Sequence, residues 1–258
     1  MAGNRTLTGR SVASKLFAVL DAFEGSPRSL RLTDIVVRSG LPMPTALRMV
    51  RELVSWGGLE RSGDGSYRIG ARMWSIGNTS PCLRKLRELG QPHLHTLASE
   101  TRAGAHLAVR DGQRALVLDR QGHSPHLPPT PVGARLPLHN TAVGRVLLAH
   151  GDQSLVEEVI RAGLTPAPTR YTVTTPARLL RELHRVRVEG VAVVREEQRL
   201  GLTQVAAAVH HPTQGVIAAI GVDLRSTSAI TARTLDLVRA AARGMQAAVA
   251  VEAARQAG

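Results

Sequence analysis

The stretch Gly40-Leu-Pro-Met-Pro-Thr-Ala-Leu-Arg-Met-Val-Arg-Glu-Leu53 sets two prolines directly before a run with helical spacing. Proline breaks a helix interior, because it lacks an N–H and its ring meets the carbonyl four residues back. In the first turn that N–H has no partner to lose. Pro44 can therefore start a helix. Pro42 restricts Leu41 to an extended backbone and tightens the turn before it. From Thr45 on, Ala46, Met49, Val50 and Leu53 share one apolar face, while Thr45, Arg48, Arg51, Glu52 and Ser55 share the other. Gly57-Gly58 stops the helix.

Upstream, Val12, Leu16, Val19, Leu20 and Phe23 have helical spacing, ended by Gly25-Ser-Pro27. Leu32, Ile35 and Val36 mark a second, short helix closed by Ser39-Gly40. Downstream, two strand-like runs between Leu59 and Ile69 flank Gly63-Asp-Gly65, a hairpin signal. The order helix, helix, tight turn, helix, hairpin predicts a winged helix-turn-helix. In that motif the helix after the turn enters the major groove.

Composition sets the frame for the rest. The chain has 258 residues and a 43% hydrophobic share, enough for one large cored domain or two ordinary ones. Its formal charge is +13, which suits a polyanionic partner. The single cysteine, Cys82, permits no internal disulfide and fits a reducing compartment. No apolar run reaches membrane-spanning length, so the expected protein is soluble and cytoplasmic. All ten histidines lie at or after His93, which separates two parts of different chemistry.

Residues 78–100 read as a mostly helical connector with a kink or junction at Pro92. Beyond it the pattern alternates strand and helix. Ala105–Arg110 and Ala115–Gln121 form a hairpin across Asp111-Gly112, and the four prolines of 124–131 mark a loop. Helices are expected over Ala142–His150, Leu155–Ala162, Pro176–Glu189 and Ser226–Gln256. Strands are expected over Val191–Val194, Thr203–Val209 and Val216–Asp223. This predicts an α+β domain with a central antiparallel sheet. The expected domains are 9–72, a linker helix over 73–91, and 92–258.

These residues resemble the IclR family of transcriptional regulators over nearly the whole chain. In the first part the resemblance rests on Leu32-Thr-Asp-Ile-Val, Ser39-Gly-Leu-Pro42, Thr45-Ala-Leu-Arg48 and Tyr67-Arg-Ile-Gly70. In the second part it rests on Leu136-Pro-Leu-His-Asn-Thr-Ala-Val-Gly-Arg145, Arg187-Val-Glu-Gly190, Glu196-Glu-Gln-Arg-Leu-Gly-Leu202 and Ala206-Ala207. It implies a GAF-like effector domain, a dimer or dimer of dimers, and operator binding controlled by a small organic acid, without a cofactor.

The candidate DNA contacts are Thr45, Arg48 and Arg51 on the reading helix, with Arg61 and Arg68 flanking the wing. Arginine grips guanine O6 and N7 through two parallel hydrogen bonds, whereas the wing arginines suit phosphates. Pro44 and Met43 stand where relatives commonly carry serine and a basic residue, and Leu47 replaces a typical polar residue. A nonstandard operator is therefore expected. By resemblance the effector pocket is lined by Leu136, Ala142, Val143, Val194, Leu202, Gln204, Gly221 and Asp223. The N–H groups of Ala142 and Val143, at a helix start, suit a carboxylate. Val194 stands where an acidic residue is common, Gln204 where Cys or a small residue is, and Asp223 where Ser is. The acid has thus changed strand, and the ligand need not be a plain keto acid. Pro125 and Pro128 fall in a loop that often lends apolar side chains to the pocket.

Other chemistry is weakly signalled. His123, His126, His139, His210 and His211 show no i, i+4 pair, so no metal site is expected. Glu196 and Glu197 are adjacent on an expected strand and so point apart, which argues against a paired acid and base. No nucleophile elbow or phosphate loop is present. The alternatives are an enzyme with a structural helical N-terminus and a ligand-independent DNA-binding protein.

Overall fold

The computed structural model describes residues 11–24, 29–77, 79–123, 127, 129–165, 167–228 and 230–257. It divides into two compact units after Arg84. In the first, α1 (Val12–Asp21), α2 (Leu32–Ser39) and α3 (Met43–Trp56) precede a hairpin of β1 (Leu59–Arg61) and β2 (Tyr67–Ile69), then α4 (Ala71–Gly77). Ser11 caps α1 by accepting the N–H of Ser14 at 3.1 Å. Gly40 closes α2 at φ +64°, a left-handed conformation that a side chain resists.

Helix α3 starts one residue earlier than Pro44. Pro42 is the N-cap with extended ψ, Met43 is the first helical residue, and Pro44 sits within the first turn. The expected apolar face is the buried one: Ala46, Met49, Val50 and Leu53 pack with Val19, Ile35, Leu59 and Tyr67. Strands β1 and β2 pair with Glu60 opposite Arg68. The Asp64 carboxylate holds the tip by accepting the N–H and hydroxyl of Ser66 at 3.0 and 2.7 Å. Leu30 and Tyr67 also exchange two backbone hydrogen bonds, of 2.8 and 2.7 Å, so the chain before α2 lines the hairpin edge.

Helix α5 (Pro81–Thr101) crosses the division, and from Lys85 on it belongs to the second unit, which also holds β3 (Gly104–Asp111), β4 (Arg114–Gln121), β5 (Arg135–Pro137), α6 (Ala142–Ala149), α7 (Gln153–Arg161), α8 (Pro176–Glu189), β6 (Val191–Arg195), β7 (Leu202–His211), β8 (Gly215–Arg225) and α9 (Ala232–Ala257). Its antiparallel sheet runs β5-β4-β3-β8-β7-β6. Both faces are covered, which explains the near-continuous burial of β7. On one face Ala206, Ala208 and Ala219 pack with residues of α6, α7 and α8. On the other, Val205, Ala207, Val209, Ile220 and Val222 pack with α5 and α9.

Four expectations are corrected. Residues 73–91 are not one helix: α4 ends at Gly77, and α5 runs unbroken through Pro92 to Thr101. Burial of Gly90, Leu94, Leu97 and Ala98 outweighs the roughly 3 kcal/mol cost of an internal proline. The last helix starts at Ala232 rather than Ser226, because Ser226 is bound to the Gly201 carbonyl and the Glu196 carboxylate. Strand β5 was not anticipated; its three residues form only against β4, with Leu136 opposite Ala115. Glu196 and Glu197 follow the end of β6 in a bend, with Glu196 at φ +57°. Pro125, His126 and Pro128 lie outside the described residues.

Candidate functional site

The first unit presents a basic concave face. Arg48 and Arg51 are exposed on α3 and Thr45 is half-buried at its start. Neither arginine has a side-chain partner among the described residues, so both guanidiniums are available to an outside acceptor. Arg51 and Arg61 line one groove of about 510 Å³ with Leu32, Leu47 and Tyr67, between α2, α3 and the hairpin. Arg68 differs. Its guanidinium grips Glu60 at 2.8–2.9 Å across the strand pair, and this hydrogen bond is the main cause holding the Glu60 carboxyl below its usual range. An exposed pair of this kind is weak, screened by water and salt, and can exchange Glu60 for a phosphate. Because Pro44 has no N–H, the first turn of α3 offers only the N–H groups of Met43 and Thr45 to an anion.

In the second unit, sheet register gathers most of the sequence-predicted pocket residues. Val194, Gln204 and Asp223 are opposite one another on β6, β7 and β8 and form one cross-strand row. Leu202 is two residues along β7 on the same face. Gly221 stands beside the row, where an added Cβ would come within 2.7 Å of the Val205 carbonyl oxygen. Leu136 is placed on the short strand β5, at the other edge of the sheet.

The start of α6 meets this row. Thr141 caps the helix by accepting the N–H of Gly144 at 3.2 Å while donating to the Pro137 carbonyl at 2.7 Å. The Ala142 N–H donates to Gln204 Oε1 at 3.3 Å, and Gln204 Nε2 donates to Asp223 Oδ1 at 2.8 Å. Gln204 is 1% exposed and Asp223 8%, so the chain of bonds is shielded from water. The N–H of Val143 has no acceptor among the described residues.

Sequence reasoning missed three participants. Thr130 donates its hydroxyl to Asp223 Oδ2 at 3.1 Å, and His106 Nδ1 lies 3.9 Å from the same oxygen. His106 Nε2 and Asn140 Oδ1 are buried with no partner among the described residues, so both are open to an incoming polar group. The signal for His106 was strand parity, since it sits opposite Gly221. Thr130 carried no signal, because its Pro-rich surroundings read only as loop.

A buried ion pair fixes α6 over the sheet. Arg145 is 1% exposed; its Nε donates to the His139 carbonyl at 2.8 Å and its guanidinium reaches Glu197 at 2.6 Å. Glu197 also accepts the Val173 N–H at 2.9 Å. Glu196 turns elsewhere, accepting from the Gly201 N–H and the Ser226 hydroxyl. The two acids share no site, which leaves Glu197 a structural role.

This fold, a winged helix-turn-helix unit preceding an antiparallel sheet domain with a buried polar row against a helix start, is that of a ligand-sensing transcriptional regulator. The family model described as "IclR helix-turn-helix domain" matches residues 12–63. That described as "Bacterial transcriptional regulator IclR C-terminal" matches residues 83–247. The chain belongs to the IclR family of bacterial transcriptional regulators, and is not an enzyme. It is 26% identical over 234 residues to the Pca regulon regulatory protein of Pseudomonas putida, covering 88% of this chain and 80% of that protein. It is 28% identical over 209 residues to the transcriptional repressor IclR of Escherichia coli, covering 79% and 76%. Among solved structures, an IclR homolog from Microbacterium hydrocarbonoxydans complexed with 4-hydroxybenzoate is 30% identical, with TM-score 0.83, over 93% of this chain and 99% of that one.

Proposed function

We propose that this regulator reads operator DNA with α3 and is controlled by a small organic acid carrying a hydroxyl group, bound between α6 and the row Val194–Gln204–Asp223. Arg48 and Arg51 face the major groove with Thr45 at the helix start, and Arg61 and Arg68 meet phosphates on either side of the wing. Two copies of the chain, or four, present paired heads to a symmetric operator in the cytoplasm.

The single observation that carries the ligand reading is Gln204. Its amide satisfies both the Ala142 N–H and the Asp223 carboxylate. A ligand entering here must replace both bonds: an acceptor for the helix start, and a donor for Asp223. A hydroxy acid supplies both, whereas a plain carboxylic or keto acid supplies only the first and sets a second negative charge near Asp223. The Microbacterium relative's ligand, 4-hydroxybenzoate, has this pairing of groups.

Calorimetry with 4-hydroxybenzoate and benzoate tests the reading. The expected preference for the hydroxy acid is about 10-fold, the value of one hydrogen bond to a charged group. Asp223→Ala should abolish that preference. Equal affinity for the two acids in the wild type would refute the donor requirement, and unchanged affinity in Gln204→Ala would remove Gln204 from the site.

A further inference from the structure

Helix α6 has a second end, and there the chemistry is different. His150, its C-cap residue, borders a cavity of about 380 Å³ also lined by Arg187 near the end of α8, His210 near the end of β7, and Arg239, Arg243 and Gln246 on α9. The α9 residues recur at i, i+4 and i+7, one face of a helix. Four separate elements therefore bring three guanidiniums and two imidazoles to one concavity. No Asp or Glu is among the described residues that line it.

The way these arginines are held matters more than their number. Arg187 Nε donates to the Ala149 carbonyl, and Arg239 donates to the Glu189 carbonyl at 3.1 Å. Both carbonyls lie at helix C-termini, where the backbone is partly negative. Such bonds fix a guanidinium in place yet consume one or two of its five N–H donors and leave its charge unneutralised. Arg239 has one acidic contact, Asp236 at 3.3 Å, whose side chain is 71% exposed, so that pair is weak. Arg243 has no side-chain partner among the described residues. His150 and His210 meet edge to face, with ring centroids 5.4 Å apart. Crowding by protein, then the proximity of His210 and Arg187, lowers the His150 pKa from the usual histidine value. At neutral pH the His150 ring therefore adds an N–H donor rather than further repulsion.

We infer that this cavity is a binding site for a small multivalent oxyanion, a metabolite bearing two or more carboxylate or phosphoryl groups. Preorganised, uncompensated guanidiniums are what such groups require, since planar N–H forks match their oxygens in pairs. The volume falls in the range of small-molecule sites, roughly 300–1,000 Å³. The cavity is distinct from the pocket proposed for the organic acid. That pocket meets the first residue of α6, and α6 is 8 residues, or about 12 Å, long. The inference stands on residues outside that pocket, so neither reading depends on the other.

The experiment is calorimetric titration of the full chain with sodium pyrophosphate and with sodium citrate, against sodium chloride of matched ionic strength. Wild type should bind one of the two oxyanions at a single site per chain, and the tighter one identifies the ligand as phosphoryl or polycarboxylate. Arg243→Ala, which removes an exposed side chain without a partner, should weaken that binding about 10-fold or more while 4-hydroxybenzoate titrates as in wild type. Gln246→Ala gives a second, smaller loss from the same wall. The double variant Arg48→Ala/Arg51→Ala should bind the oxyanion as wild type does. Weakening in that double variant but not in Arg243→Ala would place the anion on the DNA-reading face and overturn the inference. So would binding no stronger than that of chloride. If Arg243→Glu instead splits an oligomer in sedimentation while neither oxyanion binds, the cavity is a contact between copies, and the inference falls.

Discussion

Removing the Glu197 carboxylate should unlock α6. The side chain is 6% exposed, and its oxygen takes both the Arg145 guanidinium at 2.6 Å and the Val173 N–H at 2.9 Å. Glu197→Ala leaves a guanidinium that is 1% exposed without its counter-charge. Glu182, the nearest other acid recorded for it, is 3.9 Å away. Breaking a buried pair from one side costs about 3–5 kcal/mol, and the stranded Val173 N–H adds roughly 1 kcal/mol. For a unit of this size each kcal/mol lowers the midpoint by about 2–4 °C, so the expected fall is about 8–24 °C. Glu197→Gln keeps an acceptor and should cost markedly less. The double variant Arg145→Met/Glu197→Leu should be less destabilised than Glu197→Ala, because it buries no orphan charge. Calorimetric melting of the full chain gives all three values. A Glu197→Ala midpoint within about 3 °C of wild type would show that Arg145 finds water or another partner, and the reasoning would fail.

Three further outcomes follow from the same structure. Arg48→Ala should weaken specific operator binding by about 1–3 kcal/mol in gel shifts while sparing nonspecific DNA, whereas Arg61→Ala should weaken both alike. If Arg48→Ala loses both equally, Arg48 is a phosphate contact. Gly70→Ala should destabilise the reading unit by roughly 1–3 kcal/mol or more, since its Cβ would lie 2.3 Å from the Gly57 carbonyl oxygen; an unchanged melt would mean that the hairpin shifts freely. His139 titrates below the histidine reference of 6.5, mainly through burial and then through the charges of Arg145 and Arg114. As pH falls below about 6.5, the unfolded chain gains this proton before the folded one does, so acidification lowers stability across that window. His139→Gln should flatten the fall in midpoint between pH 7.5 and 5.5, and an identical slope in both proteins would show that His139 plays no part in it.

The winged helix-turn-helix was legible because its signals are local. Helical spacing of Ala46, Met49, Val50 and Leu53 marks one buried face, and Gly40 and Gly57 are left-handed stops wherever such helices end. Prolines confined to a first turn are equally local, so the placement of Pro44 missed by only one residue. The sheet strands were legible as apolar runs of strand length, and Pro176–Glu189 was bounded by its own proline and glycine. Local signals failed where distant packing decides. Pro92 lies inside a helix because the sheet beneath holds it, and three residues become β5 only because β4 supplies partners.

The sequence by itself determined which class of protein this is, since spacing, turn chemistry and family motifs are written in consecutive residues. It also placed Gln204 and Asp223 on strands. Only the tertiary structure decided what those two residues do. Register sets them side by side, and the fold brings up the Ala142 N–H, Thr130 and His106 from far along the chain. The adjacent acids likewise parted because β6 ends at Arg195, which leaves Glu197 buried against Arg145 and Glu196 in a left-handed bend. A polar side chain's partner is settled by where other elements pack, and burial sets the strength of the bond. Neither quantity is contained in the order of neighbours along the chain.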